Sequence, residues 1–218
     1  MKMTPSATGS AKPRIAVADT GSGNLRSVEK ALARAGADVV VTSDADVVAA
    51  ADKIVVPGQG AFGGCIAGLS RNGGALREAV LESIRAGKPY LGLCLGLQVL
   101  FDSSEEDPTC RGLGVLPGTV RRFSDRPGLK VPHMGWNSTR KGAAGAARVL
   151  RNVPDGTYFY FVHSYFAVPD RADDVALETE HGVPFCAAVA RDNLFACQFH
   201  PEKSQDAGLA LLTAFVDT

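Results

Sequence analysis

In the first 93 residues four short apolar runs alternate with two segments of helical period, and that alternation leaves the chain few folds to choose from. The runs "RIAVAD" (14–19), "DVVVT" (38–42), "KIVV" (53–56) and "PYLGL" (89–93) are apolar over nearly their whole length, the pattern of strands buried on both faces. Between the first two, "LRSVEKALARAG" carries Leu25, Val28, Ala31, Leu32 and Ala35 at helical spacing, with Gly36 where a helix would end. Before the fourth, "ALREAVLESIRAGK" (75–88) is amphipathic with the same period. Strands joined through helices pair in parallel, and the helices then cover both faces of the sheet.

The second half reads differently. "GTVRRF", "TYFYFVHSYFAV", "DVALETEHG" and "PFCAAVARDNLFACQFH" are strand-like and follow one another without intervening helices, and "RDN" is suited to a hairpin turn. An antiparallel extension of the sheet is therefore expected in the C-terminal half, closed by a helix over "SQDAGLALLTAFVDT". The aromatic run "YFYFVHSYF" reads as core strand, with Phe159, Phe161 and Val162 inside. Residues 14–218 are expected to form one domain after a short frayed tail, 1–13.

Composition excludes several classes of partner. With 23 Lys plus Arg against 23 Asp plus Glu, no global field draws the chain to nucleic acid or to an anionic membrane. No apolar run reaches signal-core or bilayer-spanning length, so a cytoplasmic protein is expected. The five cysteines, at 65, 94, 110, 186 and 197, form no CxxC pair and no metal-ligand spacing; free thiols, no metal and no cofactor are expected.

One of those thiols stands apart. In "GLCLGLQ" (92–98), Cys94 follows an apolar strand and is flanked two residues away by Gly92 and Gly96. That spacing matches a nucleophile elbow, in which small neighbours permit a strained strand-to-helix turn. A small buried core residue is the competing reading of the same stretch. A cysteine nucleophile also needs a base and the base an orienting acceptor, since a thiol titrating near about 8.5 is mostly protonated at neutrality. "CQFHPEKS" (197–204) offers both, as His200 and Glu202, two apart on an apparent strand end and so on one face. "PGQGAF" (57–62), after the strand "KIVV", offers glycines whose backbone N–H groups could face a substrate carbonyl. The turn "TGSGN" (20–24) is not a dinucleotide fingerprint, because Arg26 stands where a third glycine would be required.

"PGQGAF", "GLCLGLQ" and "HPEKS", in that order, resemble the oxyanion strand, nucleophile elbow and His-Glu pair of the class I glutamine amidotransferases. "DTGSGNLRSV" (19–28) and "VPHMGWN" (131–137) narrow the resemblance to the glutaminase subunits of imidazole glycerol phosphate synthase, and it runs from about Arg14 to the C-terminus.

That resemblance implies a flavodoxin-like, mostly parallel α/β sheet, and hydrolysis of L-glutamine by Cys94, His200 and Glu202. It implies an oxyanion site at the backbone of Gly58, Gln59, Gly60 and Leu95, and a glutamine pocket of Gln98, Glu106, Ser164 and Tyr165. Glu105 competes with Glu106 for the substrate ammonium. The implied partner is a separate (β/α)₈ cyclase subunit that takes the ammonia for histidine biosynthesis, with Asn24, His133, Trp136 and Lys203 as candidate contacts. For Asn24 an ordinary tight turn, and for Trp136, in a Gly-Trp-Asn turn, a core position, remain the competing readings. Gln59 departs from the aliphatic residue common at its position. Other glutaminase subunits, of pyridoxal phosphate, anthranilate or guanylate synthesis, would share the triad but lack "PHMGWN". A non-enzymatic redox sensor built on Cys94 would leave His200 and Glu202 without a task.

Overall fold

The computed structural model describes residues 12–21 and 23–218; most of the expected tail lies outside the described residues. Fourteen strands and six α-helices follow one another among them. The first half runs β1 (Arg14–Ala18), α1 (Leu25–Arg34), β2 (Asp38–Thr42), α2 (Ala45–Ala50), β3 (Lys53–Val56), α3 (Phe62–Leu69), α4 (Ala75–Arg85), β4 (Tyr90–Leu93) and α5 (Leu95–Gln98). The second runs β5 (Ser103–Ser104), β6 (Asp107–Arg111), β7 (Gly118–Arg122), β8 (His133–Ser138), β9 (Arg140–Lys141), β10 (Tyr158–His163), β11 (Tyr165–Pro169), β12 (Val175–Glu180), β13 (Pro184–Arg191), β14 (Leu194–Cys197) and α6 (Gln205–Val216).

Twelve strands form one sheet in the order β2-β1-β3-β4-β14-β13-β11-β7-β5-β6, with β12 attached to β13 and β9 to β12. The pairs from β2 through β14 are parallel, and β13, β11 and β7 continue the sheet antiparallel, as the patterning predicts. Alternate residues of the parallel strands enter different cores. Ala16, Ala18, Ile54 and Val56 pack with α2, α3 and α4, whereas Ile15, Val17 and Val55 pack with α1 and α6. Both faces being covered is the physical reason these strands carry no polar alternation. The two residues Asp192 and Asn193 turn β13 into β14, with Asp192 at φ +51. No helix among the described residues is long and apolar enough to cross a membrane.

Three local readings change. The "YFYFVHSYFAV" run is not one strand: it breaks at Ser164, so β10 pairs with β8 in a separate two-stranded sheet while β11 joins the main sheet. Phe159 and Phe161 are buried as expected, but Val162 is only half-buried, because its side of β10 faces an opening rather than the core. "GWN" is not a turn: Gly135, Trp136 and Asn137 lie within β8, with Trp136 opposite Tyr160. Two helices had no clear sequence signal. α2 is set by Asp44, whose side chain accepts from the Asp46 N–H at 2.9 Å. α3, "FGGCIAGL", is glycine-rich and held by burial of Phe62, Cys65, Ile66 and Leu69.

Candidate active site

β4 ends at the carboxyl edge of the parallel strands, where loops and helix N-termini gather. Cys94 stands there, between β4 and α5, with φ +54 and ψ −100. A non-glycine residue at that φ is strained, and the surrounding packing has to enforce it. Its N–H donates to Cys197 O at 2.8 Å, extending the β4–β14 ladder by one bond. Gly96 explains why the following turn can close: a Cβ there would sit 1.8 Å from Val56 O on β3. The elbow is therefore a close backbone crossing that any side chain at 96 would block.

Cys94 opens on a cavity of about 440 Å³ whose walls include Gln59, Gly60, Leu95, Gln98, Glu106, Val162, Ser164, Tyr165, His200 and Lys203. A second cavity, about 420 Å³, lies at the amino ends of β4 and β14 against Ala147, Phe195 and Phe215, and holds none of the residues singled out in the sequence. The chemistry is at the first.

His200 reaches that cavity from just beyond β14. Its N–H donates to Tyr160 O at 2.9 Å and its carbonyl accepts from the Ser204 hydroxyl at 2.7 Å. Glu202 follows on a 3₁₀ turn, Pro201–Lys203, rather than on the strand end that the two-residue spacing suggests; the turn brings its side chain back to the ring. His200 Nδ1 donates to Glu202 Oε1 at 2.8 Å, with both side chains almost fully buried. Nε2 is therefore the free nitrogen, and it has no hydrogen-bond partner among the described residues. Burial works against a charged imidazole, but Cys94 and Glu202 outweigh it and raise His200 to about 9. A proton taken from the Cys94 thiol would thus be held on a ring already prepared for positive charge. The other four thiols are pushed up by burial, Cys65 to about 12, which leaves them protonated. Cys197, three residues from His200, spends its S–H on Phe199 O at 3.5 Å.

The remaining candidates divide. Gln59, Gly60 and Leu95 line the cavity, Gly60 at φ +110, while Gly58 lies behind them against the Leu95 side chain. Glu105 and Glu106 occupy the turn between β5 and β6 and diverge. Glu106 lines the cavity and accepts from Phe62 N–H, at the start of α3, at 2.7 Å. Glu105 is exposed and accepts from Arg122 N–H, outside the cavity. Gln98, Ser164 and Tyr165 all line it. Asn24 is exposed just before α1, and Lys203 stands at the cavity, 5.9 Å above the Tyr160 ring. Trp136 is 46% exposed, which removes the core reading. His133 is a correction: it alternates with Trp136 on β8, points the other way and is buried, stacked on His181 at 4.3 Å. The residues that share the outer face with Trp136 are instead Met134, 67% exposed, and, across the pairing, Tyr158, 59% exposed, neither of which stood out in the sequence. Gln198 was missed as well; buried and within the "CQFHPEKS" run, it donates through Nε2 to Cys94 Sγ at 3.5 Å.

Residues 16–217 match the family model described as glutamine amidotransferase class-I. The chain belongs to the class I glutamine amidotransferases. Among curated members of that family it is 50% identical over 211 residues to the imidazole glycerol phosphate synthase subunit HisH of Nitrosomonas europaea, covering 93% of this chain and 97% of the relative. It is also 50% identical over 203 residues to HisH of Methanothermobacter thermautotrophicus, covering 93% and 98%. Solved structures share the fold as well. A crystal structure of a glutamine amidotransferase matches with TM-score 0.68 and 20% identity over 94% of this chain and 99% of the other, and a chain of PurLQS from Thermotoga maritima with TM-score 0.68 and 19% identity over 94% and 98%. Membership of an amidotransferase family leaves no place for the non-enzymatic sensor reading.

Burial in the same region makes the fold acid-sensitive. Desolvation lowers His163 to about 3, and desolvation with the neighbouring His181 lowers His133 to about 4. Both rings titrate near about 6.5 when unfolded. Between that value and their folded values the unfolded chain binds more protons, so these two groups contribute stability above about pH 6.5 that is lost as the pH falls toward 4. Urea midpoints measured from about pH 7 down to about pH 4.5 should decline steadily. A flat profile would mean the two rings are not buried neutral.

Proposed function

We propose that the chain is the glutaminase subunit of an imidazole glycerol phosphate synthase, working in the cytoplasm with residues 14–218 as one domain. It hydrolyses L-glutamine to glutamate and ammonia, and a (β/α)₈ cyclase subunit uses the ammonia for histidine biosynthesis. The observation that carries this reading is a strained cysteine opening on the same cavity as a histidine whose free Nε2 has no other partner and whose Nδ1 is fixed by Glu202.

The steps follow from those positions. His200 Nε2 takes the thiol proton and Cys94 Sγ attacks the carboxamide carbon of glutamine, its C=O bond opening to an oxyanion. N–H groups of the Gln59–Gly60 backbone and of Leu95, the latter among the helix N–H groups without an intrahelical acceptor, receive that charge. The C–N bond breaks as His200 returns its proton to nitrogen, releasing ammonia and leaving a thioester. Water, deprotonated by His200, then attacks the thioester carbon, and glutamate departs as the thiol is restored. Glu106 faces the substrate ammonium and Gln98, Ser164 and Tyr165 enclose the rest.

Glutaminase activity without an acceptor would release ammonia into water, where protonation ends its usefulness. The outer face of β8 and β10 supports a docking partner. Met134, Trp136 and Tyr158 form an exposed apolar strip, and Val162 and Lys203 continue it to the cavity mouth. The Gly58–Gly60 segment, with Gln59 in place of an aliphatic residue, is then the element that docking aligns. Adding the cyclase subunit is expected to raise steady-state glutamate formation by about 5- to 150-fold, the usual range of coupling between sites. Equal rates with and without it would remove that part of the reading, and failure to copurify with a barrel cyclase would remove the partner.

A further inference from the structure

Gln198 has no part in the steps above, yet it is fully buried and contacts the reacting sulfur. Which end of its amide meets the sulfur follows from a backbone carbonyl. Tyr165 O can only accept, so the Gln98 atom 3.0 Å from it is the amide nitrogen. That nitrogen's other hydrogen goes to Gln198 at 3.1 Å, so the oxygen of Gln198 faces Gln98 and its NH₂ faces Cys94 Sγ.

Tyr165 O is held from its other side by a second chain. His163 Nδ1 donates to it at 2.8 Å, so His163 Nε2 must accept, and it does so from His133 Nδ1 at 2.9 Å. His133 Nε2 in turn accepts from Asn137 Nδ2 at 3.2 Å, and the remaining Asn137 hydrogen goes to Glu180 O at 2.8 Å. The two carbonyls at the ends leave a single proton arrangement for the whole chain, with both rings neutral. Burial favours the same state.

Two of the other buried thiols behave in the opposite way. Cys186 and Cys197 donate S–H to the carbonyls of Ala188 and Phe199, an arrangement that keeps the proton on sulfur. At Cys94 an N–H points at the sulfur, which favours negative charge there.

We propose that Gln198 is a hydrogen-bond donor that stabilises the Cys94 thiolate, and that Gln98, Tyr165 O, His163, His133 and Asn137 are positioning groups that fix its orientation. This rests on reading Cys94 as the nucleophile, and it adds a residue to that site from the side opposite the substrate. It also ties the sulfur to β8, whose outer face carries Met134 and Trp136.

The test is the pH–rate profile of Cys94 alkylation by iodoacetamide on the full chain, read by mass spectrometry so that the five thiols are separated, with kcat and KM for glutamine alongside. Gln198→Met keeps the volume and removes the donor. It should slow Cys94 alkylation at pH 7 by about tenfold, the worth of a hydrogen bond to a charged group, and displace the profile to higher pH. It should also lower kcat with KM little changed. Gln198→Glu, which turns an acceptor or a charge toward the sulfur, should slow it further, and His163→Phe should move the profile the same way by less. An alkylation profile unmoved in a Gln198→Met or Gln198→Glu protein that melts as a folded chain would overturn the proposal, whatever happens to activity. An effect at Gln198 with none at His163 would overturn the positioning role of the histidine chain. Protection of wild-type Cys94 by glutamine separates the two readings. If protection is absent, the nucleophile reading fails and takes this proposal with it; if it is present and the profile does not move, only the role of Gln198 is lost.

Discussion

Replacing Cys94 with alanine is expected to abolish glutamine hydrolysis, with a loss on the order of 10⁴-fold or more, while the protein keeps its fold. The magnitude follows from what the side chain does. The reaction passes through a covalent thioester, and no other thiol can supply it: Cys197 is buried with its S–H committed to Phe199 O, Cys65 and Cys186 are held protonated by burial, and Cys110, on β6, does not line the cavity. Loss of a nucleophile from a concerted set costs nearly the whole catalytic advantage, because the base and the oxyanion donors then have nothing to act on. Stability should change little, since alanine keeps the Cβ at φ +54 and removes only the sulfur. Glutamate release and a thermal melt on the same preparation check both halves. Residual hydrolysis within tenfold of wild type in a folded Cys94→Ala protein would end the assignment of the nucleophile.

The second large effect is expected at Glu202. Glu202→Gln preserves the shape but removes the charge that, with Cys94, raises His200 to about 9 against the penalty of burial. It also allows the amide NH₂ to face Nδ1, which would place the imidazole proton on Nε2, the atom that has to accept from the thiol. The comparable change in a serine-histidine-aspartate site costs about 10⁴-fold. We expect kcat to fall by about 10³-fold or more here, with KM moving far less, because Glu202 does not line the cavity. The basic ring also gives a sign for pH. With a folded value above the unfolded one of about 6.5, His200 contributes stability that is complete below about 6.5 and fades as the pH rises toward 9. Glu202→Gln should flatten that alkaline decline. A kcat within a few-fold of wild type would show that the 2.8 Å contact to Nδ1 does not direct the proton.

How far the site could be read in advance depended on whether a feature is encoded by near neighbours in the chain. The elbow could be read, because Gly92, Cys94 and Gly96 lie within one turn and their reason, the crossing at Val56 O, demands glycine itself. The choice between Glu105 and Glu106 could not: adjacent residues of one tight turn are equivalent until α3 places the Phe62 N–H beside one of them. The resemblance sets His133 beside Trp136 as a candidate contact, but a strand with period two sends His133 inward and Trp136 outward. Gln198 gave no signal, since its partners Gln98 and Cys94 are about a hundred positions away.

By itself, then, the sequence determined the parallel half of the sheet, the antiparallel half and the identity of the three catalytic candidates, because apolar period and glycine spacing act over a few residues. Only the tertiary structure decided which groups meet. The order β3-β4-β14 lays three strand ends side by side, so that the Gln59–Gly60 segment, Cys94 and His200 arrive at one cavity from positions far apart in the chain. No local pattern carries that convergence, because it comes from the pairing of strands across the sheet rather than from the residues on any one of them.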